Sequence, residues 1–336
     1  MNRSYAFLFL VLCCAIGCGP SVSSSGGGPG RNAGGGDSPA KRYRIAVIPK
    51  GTNHEFWKSV HAGALKAAAE RGVEVLWKGP QVENDTSGQI EVVRNFVTKR
   101  VDGICLAPNH SKALVDAVQE AGDEKIPVVI FDSALGAGAN FVSYVATDNF
   151  HGGELAAERL AATLDGQGDV IMMRYRAGSE STEQREEGFL SKIKEFPGIN
   201  VLSSDQYGEA TTNEAMAQAS QLFVKYGDQV DGVFAVCEPN CNGMLVAIEN
   251  SGLAGKVKFV AFDPSDSLIR GLEEDKVHGI VLQDPVQMGY QAVMAVVDHL
   301  EGKEVPPQIS TGEFVATRQN MREPQFQTLL HPEVPE

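Results

Sequence analysis

The sequence is short of positive charge. Its 29 lysines and arginines face 43 aspartates and glutamates, a formal net charge of −14 at pH 7. Binding a phosphate backbone needs a basic face, so this balance argues against a nucleic-acid partner. Beyond residue 40 there is also no apolar run long enough to cross a bilayer, and the longest apolar stretches are strand-sized. No Gly-x-Ser-x-Gly nucleophile elbow, metal-ligand pattern or phosphate-binding loop occurs. The chain is therefore read as a non-enzyme with no cofactor and no metal. Glu183, Glu238 and His54 are residue types capable of acid–base work, but hydroxyl binding uses the same types and is preferred. Gly26-Gly27-Gly28 and Gly34-Gly35-Gly36 are linker, because no strand precedes them and no helix follows.

Cysteine is sparse beyond the N-terminus. Of six cysteines, Cys13, Cys14 and Cys18 lie in the first stretch. Cys105 sits in an apolar run and reads as a packing residue. Cys237 and Cys241 are either a disulfide, if the chain is exported, or two free thiols at a helix start. The N-terminus itself reads as an export signal. Arg3 is followed by a short apolar segment, Tyr5 to Ile16, closing on Ala15-Ile16-Gly17-Cys18. This resembles a bacterial lipobox, which implies a signal peptide over 1–17 and lipidation of Cys18. Ser21 to Pro39 is rich in Gly, Ser, Pro, Ala and Asn and cannot bury enough surface to fold, so 18–41 is expected to be a flexible tether.

From Tyr43 onward, short apolar runs alternate with helical patterns. The runs at 43–49, 73–77, 102–107 and 127–131 are expected to be strands, separated by helices at 56–71, 90–99 and 111–121. The pattern restarts with a helix at 150–164 and further strands at 169–173, 201–204, 230–236, 258–262 and 279–282. Helices at 183–194, 213–226, 242–251 and 268–274 intervene, and a long helix follows at 286–300. Near-continuous apolar strands between amphipathic helices indicate parallel sheets covered on both faces. The fold class is α/β, with two doubly wound domains. In such sheets ligands sit outside the carboxyl ends of the strands. The residues there are unusually polar and aromatic: Lys50 to His54, Pro108-Asn109-His110, Asp132-Ser133, Arg174-Tyr175-Arg176, Asp205-Gln206-Tyr207, Cys237-Glu238-Pro239-Asn240, Asp263-Pro264-Ser265 and Gln283-Asp284-Pro285. Asp, Asn, Gln and Arg offer paired hydrogen bonds to hydroxyls. Phe56 and Trp57 are suited to stack on a sugar ring. Asn53 and Asp263 also read as caps or turn residues.

Seven ordered stretches carry a family resemblance. They are Tyr43 to Trp57, Asp102-Gly103-Ile104, Pro127 to Ser133, Thr147-Asp148-Asn149, Arg185 to Phe189, Asp231 to Ala235 and Phe259 to Asp263. Together they resemble periplasmic binding proteins of the ribose-binding type, over about residues 43–330. That resemblance implies two domains closing on a ligand like a hinged clamp, joined by crossings near Asp148, Gln283 and Thr311. The domains would be 42–147 plus 284–312, and 148–283 plus 313–330. It implies a small sugar or polyol ligand, transfer to an ABC permease with its ATPase, and a monomer in the periplasm or cell envelope, lipid-anchored through Cys18. The implied ligand-binding residues are Lys50, His54, Phe56, Trp57, Asp132, Ser133, Glu183, Arg185, Glu238, Asp263 and Gln283. Arg185 has a second reading, as a partner of Glu186 or Glu187. Ser133, Glu183 and Cys237 replace an Arg, an Arg and an Asn of the ribose binders. Lys50, Gly79-Pro80, Asp132-Ser133 and Glu183-Gln184 are instead similar to autoinducer-2 binding proteins. A sensor that presents a sugar or autoinducer-2-like signal to a membrane receptor is the alternative. A repressor of the same core fold would need an N-terminal helix-turn-helix where the export signal and tether stand.

Overall fold

The computed structural model describes residues 42–332. The expected signal peptide, lipidated Cys18 and tether lie outside the described residues. The first lobe opens with β1 (Arg44–Ile48), α1 (Glu55–Arg71), β2 (Glu74–Trp77), α2 (Thr86–Thr98), β3 (Gly103–Leu106), α3 (Val115–Asp123), β4 (Val128–Phe131) and β5 (Ser143–Ala146). The second comprises α4 (Asn149–Thr163), β6 (Gln167–Met173), α5 (Glu180–Ile193), β7 (Gly198–Ser203), α6 (Thr212–Tyr226), β8 (Gly232–Ala235), α7 (Glu238–Asn250), β9 (Lys258–Phe262), α8 (Asp266–Glu273) and β10 (Gly279–Leu282). The chain then returns through α9 (Pro285–Leu300) and β11 (Gln308–Ser310) to the first lobe, and ends with β12 (Phe314–Ala316) and α10 (Pro324–Leu330) on the second. The two six-stranded sheets have the orders β11-β5-β4-β3-β1-β2 and β12-β10-β9-β8-β6-β7, the same strand order twice. All pairings are parallel except β10 with β12.

Side-chain alternation explains the layering. On β1, Ile45 and Val47 pack with Trp57, Val60 and Val293 on one face, whereas Ala46 and Ile48 pack with Val92, Val93 and Leu114 on the other. Successive residues of a strand face opposite sides, so a strand buried on both faces must be apolar throughout. The expected strands and helices stand within a few residues of the observed ones. β5, β11, β12 and α10 are additions to the expected set; β11 and β12 have three residues each, too short for periodicity to register. Cys237 and Cys241 are free and buried, which decides between the two readings of that pair. Cys241 Sγ lies 3.2 Å from the Ala235 carbonyl oxygen and 3.3 Å from that of Phe262.

The crossings between sheets occur at 147–148, 283–284 and 311–313. The first two end alike. Asp148 Oδ1 accepts the His151 N–H at 3.0 Å and Asp284 Oδ1 accepts the Gln287 N–H at 2.9 Å, so each crossing residue caps the helix that follows. Glu313 ties the third crossing to the first, through the Asp148 N–H at 3.3 Å and His151 Nδ1 at 2.7 Å.

Two glycines set the helices that carry candidate site residues. A Cβ on Gly153 of α4 would overlap the Arg185 carbonyl oxygen of α5, and one on Gly289 of α9 would overlap the Val60 carbonyl oxygen of α1. Close backbone approach is what glycine permits here. Gly153→Val is expected to force α4 from α5 and cost about 1–3 kcal/mol of stability, as overpacking does. Gly122→Ala, exposed in α3 with nothing within 4 Å of the new Cβ, should instead stabilise by about 0.4–1 kcal/mol. Urea unfolding midpoints of the two variants check both signs.

Candidate functional site

The ends of strands from both lobes converge on one cavity. Its walls come from the residues after β1 (Lys50, His54), the start of α1 (Phe56, Trp57), the loop after β2 (Glu83) and the end of β4 (Asp132). From the other lobe come the segments after β6, β8, β9 and β10 and the face of α5. The space between these walls is only about 30 Å³, room for about one water, so admitting a larger guest requires the lobes to part.

Asp132 and Asp263 occupy matching places, at the ends of β4 and β9, and both have left-handed backbone, with φ of 62° and 67°. Their backbone N–H groups continue the sheets, donating to Val145 and Val281 at 2.9 Å each. Aspartate tolerates this region better than most residues, and such strain concentrates at functional sites. Each carboxylate is buried with a cation. Lys50 Nζ is 2.7 Å from Asp132 Oδ2, and Arg185 Nη1 is 3.6 Å from Asp263 Oδ2. Gln283 Nε2 donates to Asp263 Oδ1 at 2.6 Å. Arg185 does not pair with Glu186 or Glu187. Its Nε donates to Asn149 Oδ1 at 2.8 Å, its Nη1 to the Val236 carbonyl at 3.0 Å, and its guanidinium lies 3.8 Å from the Phe262 ring centroid. Glu186 instead faces Arg174, at 2.8 Å.

Sequence reasoning misses one buried carboxylate of the cavity, Glu83. Its carboxylate accepts the Trp57 indole N–H at 2.7 Å and the Tyr175 hydroxyl of the opposite lobe at 2.8 Å, and meets His54 Nδ1 at 2.8 Å. It lies in irregular chain between β2 and α2, off any strand end, so the rule that locates the other residues passes over it. Tyr175 stands in a strand-end triplet, with nothing in its local pattern to set it apart. Lys50 also crosses the cleft, donating to Ser181 Oγ at 2.9 Å and to Ser179 Oγ at 3.4 Å. The Phe56 backbone N–H donates to Glu238 Oε2 at 3.2 Å.

Lys50, His54, Phe56, Trp57, Asp132, Arg185, Glu238, Asp263 and Gln283 all line the cavity. Ser133 and Glu183 are placed differently. Ser133 Oγ accepts the Ser181 N–H at 2.9 Å, a contact between lobes beside the cavity. Glu183 Oε1 accepts the Gly178 N–H at 2.7 Å, so it holds the loop before α5. Phe56 and Trp57 meet edge to face, at 87° and 4.9 Å, so they do not present parallel faces to one ring. Trp57 belongs to the first-lobe core, where it packs against Phe131. Among the described residues no group of His, Cys, Asp and Glu is arranged to hold a metal.

Residues 45–304 match the family described as a periplasmic binding protein domain. The chain belongs to that family. The ribose import binding protein of Haemophilus influenzae is 27% identical over 272 residues, covering 81% of this chain and 90% of that protein. A carbohydrate transporter solute-binding protein from Agrobacterium radiobacter, solved with D-arabinose, is 32% identical with a TM-score of 0.83, covering 87% of this chain and 100% of that one. An ABC transporter solute-binding protein from Agrobacterium vitis, solved with D-fucose, is 33% identical with a TM-score of 0.82, covering 86% and 100%.

Burial and charge work against each other throughout the binding protein's cleft. Burial alone would raise the Glu83 carboxyl, but the His54 charge and hydrogen bond, Lys50 and the Trp57 N–H outweigh it and bring the carboxyl down to about 2. Burial alone would lower His54, but Glu83, and Glu238 beyond it, bring it up to about 9. Glu238 goes up to about 7, because burial exceeds what the His54 charge and the Phe56 N–H return. Burial likewise raises Asp263, against the opposing pull of Arg185 and Gln283.

The signs of the pair set a pH window. Glu83 lies below its ordinary 4.5, so its contribution to stability is complete above that pH and is lost as pH falls through about 2. His54 lies above its ordinary 6.5, so its contribution is complete below that pH and is lost as pH rises through about 9. Glu83→Gln should therefore cost most between about pH 4.5 and 6.5, on the order of 1.5–3 kcal/mol, and progressively less on either side. Urea midpoints of parent and variant from pH 3 to 10 measure the difference. A constant difference across that range would remove the ion pair as its cause.

Proposed function

We propose that this binding protein captures a small uncharged sugar or related polyol between its lobes and delivers it to a membrane ABC permease driven by an ATPase. One observation carries the reading: cavity walls from both lobes that combine carboxylates, an amide, a guanidinium, an ammonium and Phe56. Hydroxyls both donate and accept, and this set offers them planar, paired partners of both kinds. Lys50, His54 and Arg185 each already face a carboxylate, Asp132, Glu83 and Asp263 in turn, which opposes an anionic ligand. The sugar importers among the relatives support transport over the sensing role. The domains are taken as 42–147 plus 284–312 and 148–283 plus 313–330. The chain is placed in the periplasm or cell envelope as a monomer, held to a membrane through a lipid on Cys18.

The mechanism is a population shift. Residues of both lobes reach the ligand together only when the lobes close, so the ligand stabilises the closed form by its differential affinity. Parting the lobes to admit a ligand frees Lys50 from Ser179 and Ser181, and Glu83 from Tyr175, and ligand hydroxyls take up the partners released. Asn149 couples the hinge to the site, because its side chain bonds both Arg185 and the Asp132 carbonyl oxygen.

Thermal unfolding of the full chain with D-ribose, D-allose, D-arabinose, D-fructose and myo-inositol tests the proposal. A ligand at about 100 times its Kd should add about 2.7 kcal/mol and raise Tm by several degrees. Asp132→Ala should weaken that ligand by about ten- to hundred-fold, the worth of one charged hydrogen bond. No shift with any of these compounds would overturn the sugar reading. A shift that Asp132→Ala leaves intact would overturn the site.

A further inference from the structure

A second space adjoins the cavity, a groove of about 750 Å³ between the starts of α1 and α9 on one side and α7 and α8 on the other. Phe56, Glu238, Asp263 and Gln283 line both spaces, so the groove opens onto the cavity past side chains assigned to the sugar. Gln283 marks the junction. It is 1% exposed and its Nε2 is engaged by Asp263, but its Oε1 has no hydrogen-bond partner. A buried acceptor left unpaired is costly, and a donor on a guest spanning the junction would relieve it.

The groove differs from the cavity in chemistry. Leu245 and Ile269 give it an apolar wall, suited to the carbon face of a ring. Glu55, Glu249 and Asp266 add carboxylates against Arg270, so an anionic group would be repelled there. We infer that the binding site is bipartite. The sugar ring occupies the cavity once the lobes have parted to admit it, and an uncharged group linked to it glycosidically, a second sugar ring or an aglycone of similar size, occupies the groove. The preferred ligand is then a glycoside rather than a free monosaccharide. This rests on the sugar reading above and narrows it.

Titration calorimetry of the full chain decides it. D-Ribose, D-arabinose, D-allose, D-fructose, D-glucose and D-galactose would each be compared as the free sugar and as the phenyl and glucosyl glycosides, and myo-inositol as the free polyol and its glucoside. For the sugar that binds, a glycoside is expected to bind at least about ten-fold tighter than the free form. Val246→Trp fills the groove from its α7 wall, at a position 37% exposed, and should bring that ratio close to one. The matching glycoside phosphate should bind more weakly than the uncharged glycoside. A free sugar that binds with no gain from any glycoside, or a gain that survives Val246→Trp, would overturn this inference and leave the sugar reading standing. No binding by any compound, free or substituted, would overturn both.

Discussion

A carboxylate out of water is tolerated only where donors and positive charge surround it, and the closed arrangement of this protein turns on one such group. Glu83 is buried between lobes that share no strand pairing, and its partners come from both. His54 and Trp57 hold it from its own lobe, and Tyr175 reaches it from the other. Parting the lobes removes the Tyr175 hydroxyl and readmits water to the carboxylate. Closure is therefore a trade of solvent for a fixed set of donors, a trade that favours closing only when the set is complete. Lys50 repeats the logic nearby, bound to Asp132 within one lobe and to Ser179 and Ser181 across the cleft.

The same strand order serves two different chemistries. Each sheet ends a central strand on an aspartate with left-handed backbone, and each lobe packs a helix pair through glycine at the backbone. Asp132 is then neutralised by a lysine, whereas Asp263 is held by a glutamine and an arginine that also stacks on Phe262. The frame is repeated, but the decorations are not. The cleft between them therefore presents an ammonium on one side and a guanidinium and an amide on the other.

Much of the site is legible in the sequence, because one physical rule covers most of it. In parallel sheets the polar residues just past the strands face the ligand, and Lys50, Asp132, Glu238, Asp263 and Gln283 all stand at such positions. The rule fails where a cavity residue lies off the strand ends, as with Glu83 in irregular chain. It also says nothing about rotation of a side chain. Glu183 stands on α5 with Arg185, yet one turns to the Gly178 N–H and the other into the cleft.

Order of strands and helices and burial of the strands follow from local pattern, because apolar runs and helical spacing are properties of neighbouring residues, while the family follows from the resemblance of seven ordered stretches. The edge strands β11 and β12 escape that reading, since a three-residue strand is defined by its partner rather than by its own composition. Which residues meet across the cleft belongs to the tertiary structure alone. Tyr175 and Glu83, or Phe56 and Glu238, are far apart in the chain and become partners only when two separate sheets are set facing each other. Hydrogen bonds and ion pairs act over a few ångströms, and no pattern along the chain encodes that distance.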